Sequence, residues 1–205
     1  MDIEIRRIVN SFYTSNMYLL SCDEVDYVWL VDCGDYVKVK SDLKGKEIRG
    51  VLLTHTHSDH IYGLNETLKE FPKTTIYTNN FGRLALGNPK SNLSKFHEEI
   101  PDFVIEQSAD VQTLREGDTV ELFPDVYARV LDTPGHDKSC LSYIVGDFLF
   151  SGDSYIPGER LIAIFPNSNK KDAQSSYKRL SILSKQFHLC PGHGEIDKKI
   201  INHKK

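Results

Sequence analysis

The chain has 205 residues, of which 40% are hydrophobic and 26% charged, the composition of an ordinary globular protein. Its formal net charge of −4 argues against general nucleic-acid binding, which requires clustered Lys and Arg. No apolar run approaches the ~18 residues that a membrane span needs. We therefore expect neither a nucleic acid nor a membrane as a partner, and composition leaves the oligomeric state undetermined.

The N-terminus and the cysteines bear on location and domain number. The first seven residues, 1–7, include acids where a signal peptide has bases, and no apolar segment follows them, which predicts a cytoplasmic protein. The four cysteines lack CxxC spacing and are too few for a disulfide scaffold. A single α/β domain commonly reaches ~200 to 250 residues, and neither a linker nor an internal repeat divides this chain. We therefore expect residues 1–205 to form one domain.

Hydrophobic runs and turn residues predict strands and helices along the chain. Strands are expected at residues 3–10, 17–21, 27–33, 50–54, 74–78, 126–131, 141–145 and 148–150, with a further strand leading to Cys190. Helices are expected at residues 35–44, 63–70 and 171–185, and the stretch 79–101 is expected to be helical in pieces. Because strands come in pairs before helices intervene, we predict an α/β protein, an αββα sandwich of two mainly antiparallel β-sheets flanked by helices. Periodicity alone leaves other α/β arrangements open.

The eight histidines are the unusual feature of the composition. Loops at strand ends are where a rigid sheet presents functional groups. Five histidines and two aspartates lie in such loops: His55, His57, Asp59 and His60 in the first, His136 in the second, Asp153 in the third and His193 in the fourth.

The spacing of these residues favours metal binding. Side chains two apart in an extended segment point the same way, so His55 and His57 can reach one ion together. Imidazole and carboxylate are ligands of zinc, and also of iron or manganese. The expected cofactors are therefore two divalent metal ions, with Zn²⁺ as the first choice and Fe or Mn as alternatives. The predicted ligand sets are, for one ion, His55, His57 and His136, for the other, Asp59, His60 and His193, and for the bridge between them, Asp153.

Four motifs resemble those of a known family. Residues 55–60 have the sequence HTHSDH, an HxHxDH motif, and TPGH at 133–136, SGD at 151–153 and PGHG at 191–194 follow in order. Each Pro-Gly turn bends the backbone sharply before a histidine. The set resembles the metallo-β-lactamase superfamily, and within it the small glyoxalase-II-like hydrolases. The resemblance spans nearly the whole chain and implies the αββα fold and a two-metal site.

The resemblance also implies a reaction, the hydrolysis of a small acyl substrate (a thioester, ester or lactone) by a metal-bridging hydroxide. Asp59 is then expected to orient the nucleophile as well as to bind metal. Asp153 stands where true lactamases usually carry cysteine or serine, so β-lactam hydrolysis is not expected. Glyoxalase II enzymes carry a glutathione-binding extension where only residues 194–205 follow here, so glutathione thioester specificity is not expected either.

Two other functions stay open at this point. One is an iron-dependent oxidoreductase of the same fold, similar to the persulfide dioxygenases, which use one iron; Asp59, His60 and His193 together favour two metals. The other is a metal-binding module without catalysis, whose sequence would lack ligands, and none is missing from the motif set. Metal analysis separates the oxidoreductase from the hydrolase.

Several residues outside the ligand set have two interpretations. Tyr155 lies two residues after Asp153 and, by the resemblance, is a candidate substrate contact, with core or lid packing as the alternative. Asp32 is expected to close the turn at Gly34 and to orient the ligand loops. Residues 79–101 cover the site or pack on the sheet, and residues 155–170 are candidates to line the cleft. The histidines that match no motif are expected at the surface or in packing positions, and they are His97, His188 and His203.

Overall fold

The computed structural model describes residues 2–196 and contains two β-sheets packed face to face. Six strands form the first sheet in chain order: β1 (Glu4–Val9), β2 (Asn16–Ser21), β3 (Tyr27–Val31), β4 (Glu47–Leu52), β5 (Thr75–Thr78) and β6 (Asp110–Thr113). Five strands form the second sheet in the spatial order β11 (His188–Pro191), β10 (Phe148–Gly152), β9 (Leu141–Val145), β8 (Val126–Asp132) and β7 (Thr119–Phe123).

Helices lie on the outer faces of both sheets. They are α1 (Tyr36–Lys40), α2 (Ser58–Ile61), α3 (Leu64–Glu70), α4 (Asn80–Leu86) and α5 (Lys170–Leu183), with a 3₁₀ turn at Ser94–Phe96. Within the described residues, no helix is long and apolar enough to cross a membrane. Residue 203, one of the three histidines outside the motifs, lies beyond the described residues.

The layers follow from the alternation of apolar side chains along the strands. In β2, Tyr18 and Leu20 enter the core between the sheets, whereas Met17 and Leu19 enter a second core on the outer face of the first sheet. That second core also contains buried side chains of α1 and α3. A third cluster joins Leu180 of α5 to the outer face of the second sheet. The predicted αββα sandwich is therefore confirmed.

The strand directions correct one part of the prediction. β1, β2 and β3 are antiparallel, but β3, β4, β5 and β6 pair in parallel, so the first sheet is mixed rather than mainly antiparallel. The reason is that helices connect these strands, and a helical crossover returns the chain in the same direction. The second sheet is antiparallel except for β10 and β11, which α5 connects.

Candidate metal centre

The ends of four strands meet at one edge of the sandwich and carry all seven predicted ligands. His55 and His57 follow β4, and His57 is the extended residue that precedes α2. Because α2 begins at once, Asp59 and His60 lie in its single turn. The other three ligands follow strands of the second sheet, His136 after β8, Asp153 after β10 and His193 after β11.

The first ligand group consists of His55, His57 and His136, and one ring nitrogen from each lies within 4.8 Å of the others. His57 Nδ1 and His136 Nε2 are 3.0 Å apart. All three side chains are buried. The structure therefore brings together the set that the sequence predicts for one ion.

The second group consists of Asp59, His60 and His193, and it is equally compact. Nε2 of His60 lies 3.3 Å from Nε2 of His193 and 3.4 Å from Oδ2 of Asp59, and the third separation is 3.3 Å. Two ligand atoms at ~2.0 to 2.1 Å from a tetrahedral zinc ion are about 3.3 to 3.4 Å apart. The three separations therefore fit the edges of one coordination tetrahedron.

Asp153 lies between the two groups. Its Oδ1 is 3.5 Å from His60 Nε2, and its Oδ2 is 3.5 Å from both His136 Nε2 and His193 Nε2. Each carboxylate oxygen thus faces ligand nitrogens, and Oδ2 faces both groups. This is the position that the sequence predicts for a bridging ligand.

Unpartnered polar atoms support a fit between these residues and metal ions. Nε2 of His55 and Oδ1 of Asp153 are buried and have no hydrogen-bond partner among residues 2–196. Buried polar atoms are nearly always hydrogen-bonded, so such orphans require an explanation, and an ion is one. The donor set contains imidazole and carboxylate without thiolate, which suits zinc, iron and manganese.

Two histidines of the first group, His55 and His136, are kept neutral by their environment. Burial lowers the pKa of His55 well below its ordinary value, and the nearby His60 and His57 lower it further. Burial likewise lowers the pKa of His136 to about 4, with His57 as the next cause. Neutral imidazole is the form that binds metal, so these side chains are in the ligand form at neutral pH.

In the second group, nearby carboxylates raise the pKa of the histidines by more than burial lowers it. Burial lowers the pKa of His60, but the charges of Asp59 and Asp153 outweigh it and raise the pKa to about 9. For His193, burial is again outweighed by bonds to Asp153 and Asp59, and its pKa rises to about 10. Burial opposes ionisation of both carboxyls, yet His60 and its neighbours lower their pKa values. The group therefore attracts positive charge, and a divalent cation would replace protons there.

Asp32 fixes the orientation of one ligand. It is buried after β3 and accepts hydrogen bonds from the Thr54 amide and hydroxyl, both at 2.7 Å. His60 Nδ1 donates to its Oδ2 at 2.9 Å, which leaves Nε2 of His60 directed at the second group. The expected role of Asp32 in orienting the ligand loops is consistent with these contacts. Such carboxylate partners fix the tautomer and the ring orientation of ligand histidines.

The His193 loop is anchored to the first sheet. Ser15 forms a β-bridge with His193, and its hydroxyl donates to the Asp59 carbonyl at 2.7 Å. The Tyr18 hydroxyl donates to the Pro191 carbonyl at 2.7 Å. These contacts connect the two loops that carry the second ligand group.

A family comparison decides the classification. The model of the metallo-beta-lactamase superfamily matches residues 11–193, which include all seven predicted ligands. The chain belongs to the metallo-beta-lactamase superfamily.

Relatives and solved structures agree with this classification. A probable metallo-hydrolase of Streptococcus pyogenes serotype M6 is 26% identical over 200 residues, covering 94% of this chain and 84% of the relative. A hydroxyacylglutathione hydrolase of Xylella fastidiosa is 29% identical over 182 residues, covering 82% of this chain but only 59% of the relative. The crystal structure of the BLEG-1 B3 metallo-beta-lactamase superposes with a TM-score of 0.80 at 23% identity, covering 94% of this chain and 93% of that one. This last likeness shows the fold alone.

Two glycines allow this superfamily member's ligand loops to approach closely. Gly135 has φ +132°, and a Cβ there would overlap the backbone of Ala173 in α5. A Cβ on Gly192 would overlap Oδ1 of Asp153. Both Pro-Gly turns therefore depend on the missing Cβ, and at Gly135 the positive φ also favours glycine.

Tyr155 does not lie among the cleft residues of the metal centre. Its partly buried ring packs on the cluster that contains Leu180, and it meets Tyr177 of α5 edge-on at 4.9 Å. The ring therefore packs against α5 rather than lining the cleft, which is where a substrate contact would lie. The packing alternative describes its position.

The sequence missed Asp137, although it lies next to a ligand in the superfamily's second motif. The residue is fully buried, and its Oδ2 has no hydrogen-bond partner and lies 3.6 Å from His57 Nε2. Its Oδ1 accepts hydrogen bonds from the amide and hydroxyl of Ser139. Ser139 Oγ in turn accepts from the Thr56 amide at 3.0 Å, between the two ligands His55 and His57. No spacing pattern marks such a residue, because the contact crosses 80 residues of sequence.

The sequence also gives no specific signal for Phe165, which contacts two of the ligands. Its ring meets those of His57 and His136 edge-on, with centroids 4.9 Å and 5.4 Å away. His136 Nδ1 donates to the Ile162 carbonyl at 3.0 Å. The loop after β10 therefore covers the first ligand group, as the expectation for residues 155–170 allowed.

Proposed function

We propose that the protein is a dinuclear metal-dependent hydrolase of a small acyl substrate, a thioester, an ester or a lactone. One observation carries the proposal, the placement of Asp153 with Oδ2 at 3.5 Å from both His136 and His193. These histidines belong to different ligand groups, so one carboxylate is within reach of two ions. Pairs of catalytic metals are typically ~3.5 to 4 Å apart, and Asp153 is suited to join such a pair.

The chain supplies binding, orientation and exclusion of water. Two divalent cations, when bound, make a hydroxide available at neutral pH and polarise the scissile carbonyl. Asp59 lines the cleft beside His193, and its pKa is lowered despite burial, so the carboxylate is ionised and can accept a hydrogen bond from the attacking water. Phe165 covers His57 and His136 and keeps bulk water from this side of the reaction.

We propose zinc as the metal, and cytoplasm as the location. The donors are histidine nitrogens and carboxylate oxygens, and none of the four free cysteines belongs to a ligand group of the described residues. This donor set also accommodates iron or manganese. The hydrolase names of the two relatives support the reaction class rather than the metal.

The test is metal analysis combined with a substrate panel. The purified full chain is loaded with zinc, its metal content is measured by mass spectrometry, and thioester, ester and lactone hydrolysis is assayed. We expect two ions per chain and turnover of at least one class. Asp153→Asn is expected to reduce kcat/KM at least a hundredfold, whereas Asp147→Asn, an exposed turn residue, leaves it unchanged.

Two results would remove the proposal. Fewer than one ion per chain after loading contradicts the metal centre, and a two-metal protein inert on the whole panel contradicts the reaction. A protein that binds one iron and consumes oxygen with a sulfur substrate would establish the oxidoreductase alternative instead.

A further inference from the structure

A cleft of about 780 Å³ opens over the metal centre, a size typical of small-molecule sites. Five of the ligands form its floor, and the remainder of its lining comes from other segments. The first sheet contributes the β1–β2 loop and the loop after α4, and the second sheet contributes the loop after β10. Outside the ligands, its lining includes Tyr13, Leu93, His97, Ile156, Ile162 and Phe165.

Tyr13 is an exposed aromatic ring in a fixed position. Half of its surface is accessible, yet its hydroxyl pairs with Nδ1 of His97 at 3.1 Å. The ring also packs on Phe12 with centroids 4.4 Å apart, and Phe12 meets His97 and Tyr62 edge-on. An apolar surface that is held in place but left uncovered is suited to contact a ligand.

Backbone strain is concentrated on the same side of the cleft. Tyr13 and Thr14 are consecutive non-glycine residues with φ of +51° and +53°, and Leu93 has φ of +65°. These are three of the six such residues in the described chain, and all three line the cleft. Side chains rarely adopt this conformation, and it persists where the surrounding structure imposes it, often at binding sites.

The loop after β10 supplies a second apolar surface. Phe165 lies on the ligand rings of His57 and His136, and Ile162 is 43% exposed. Ile156 also faces the cleft. Apolar side chains therefore line the cleft from both sheets, directly above the reacting position.

The charges around the cleft do not favour an anionic substrate. Within residues 2–196, its titratable side chains outside the ligands are Tyr13, His97, Glu159 and Glu195. Glu195 is paired with Arg7 at 3.2 Å, and Arg160 lies in a smaller adjoining cavity beside Glu159. Away from the metal centre, an anionic group on the substrate would therefore meet acids rather than a cluster of bases.

From these observations we propose that the cleft selects uncharged esters or thioesters with an apolar acyl chain, and that this chain packs on Tyr13 and Phe165. This inference rests on the proposed hydrolase function and names its substrate class. Four added methylene groups, if buried, increase kcat/KM by well over tenfold.

The test compares 4-nitrophenyl acetate with 4-nitrophenyl hexanoate on the zinc-loaded full chain. We expect kcat/KM for the hexanoate to exceed that for the acetate at least tenfold. Tyr13→Ala is expected to reduce this ratio at least fivefold, while Tyr13→Phe retains the ring and most of the ratio. Tyr127→Ala is the matched control, since Tyr127 is equally exposed but lies on β8 outside the cleft lining, and it should leave both rates unchanged.

A binding measurement keeps the inference testable without turnover or variants. Calorimetry should show hexanoate, the product, binding the wild-type protein at least tenfold more tightly than acetate. If the acetate ester is hydrolysed but neither ratio exceeds three, the inference is wrong and the hydrolase function stands. If no thioester, ester or lactone is hydrolysed but hexanoate is preferred, the function fails and the cleft assignment stands. Faster hydrolysis of an anionic glutathione thioester than of the hexanoate overturns the inference.

Discussion

Two carboxylates outside the ligand set face the outer nitrogens of ligand histidines. Asp32 accepts from His60 Nδ1, and Asp137 Oδ2 lies 3.6 Å from His57 Nε2 with no other partner. One therefore supports each ligand group. Removing such a partner from a metal site typically weakens metal affinity ~10- to 100-fold.

Asp137→Asn should weaken zinc binding by at least tenfold. The substitution preserves side-chain volume and an oxygen for Ser139, but it removes the negative charge that faces His57. Competition with a chromophoric chelator measures the affinity, and Asp147→Asn provides a control on an exposed turn. Equal zinc affinity in wild-type and Asp137→Asn proteins would show that Asp137 does not orient the ligand.

Asp35 gives the fold a pH dependence distant from the ligands. Burial raises its pKa, but hydrogen bonds from Lys38 and Ser11 outweigh this and lower the pKa to about 2. A carboxyl with a depressed folded pKa stabilises the protein above its unfolded pKa of ~3.9, and this stabilisation is lost as the pH falls toward 2.

Asp35→Asn should therefore lower the free energy of unfolding at pH 7 by at most about 2 kcal/mol. At pH 3 the difference from wild type should shrink to about half, since the unfolded carboxyl (pKa ~3.9) is already mostly protonated there while the folded one is still ionised. Urea unfolding of metal-free protein at both pH values measures this. A difference that grows toward low pH would contradict the assigned contacts.

At the scale of elements, the ligand loops depend on close backbone approach. Gly192→Ala should reduce kcat/KM at least a hundredfold, because the added Cβ overlaps Asp153 Oδ1 and forces the His193 loop away. Overpacking of this kind costs ~1 to 3 kcal/mol of stability. Gly87→Ala at the end of α4 is the control, since its nearest contact would be an ordinary 3.8 Å. Full activity in Gly192→Ala would show that the His193 loop can accommodate a Cβ beside Asp153 without displacing the ligands.

The elements also show what sequence can predict. The strands that lead to the ligands were predicted because they are apolar runs bounded by turns. β6 was missed because its residues, Asp110–Thr113, are largely exposed and polar at the edge of the sheet. β7 was missed as well. The parallel pairings depend on helical crossovers, which local periodicity does not encode.

For the candidate site, the ligand residues could be predicted because their signal is local. The HxHxDH segment places four ligands within six residues, and the structure brings them together with the three from other loops. Asp137, Tyr13 and Phe165 were missed because they reach the centre through contacts between distant segments. The resemblance leaves Tyr155 as either a substrate contact or a packing residue, and its contact with Tyr177 of α5 could not be read from the sequence.

At the scale of the whole molecule, each ligand group draws on both sheets. His55 and His57 follow a strand of the first sheet, and His136 follows one of the second. Asp59 and His60 likewise combine with His193 across the sandwich. The centre therefore forms only when the sheets pack, and metal ions bound there would join them.

The central claim is that these groups bind two ions bridged by Asp153. The most direct test is a crystal structure of the zinc-loaded protein with anomalous diffraction at the zinc edge. We expect two anomalous peaks ~3.5 to 4 Å apart, which mark one zinc ion in each ligand group, with Asp153 contacting both ions. A single fully occupied peak, or ions that Asp153 does not contact, would contradict this claim.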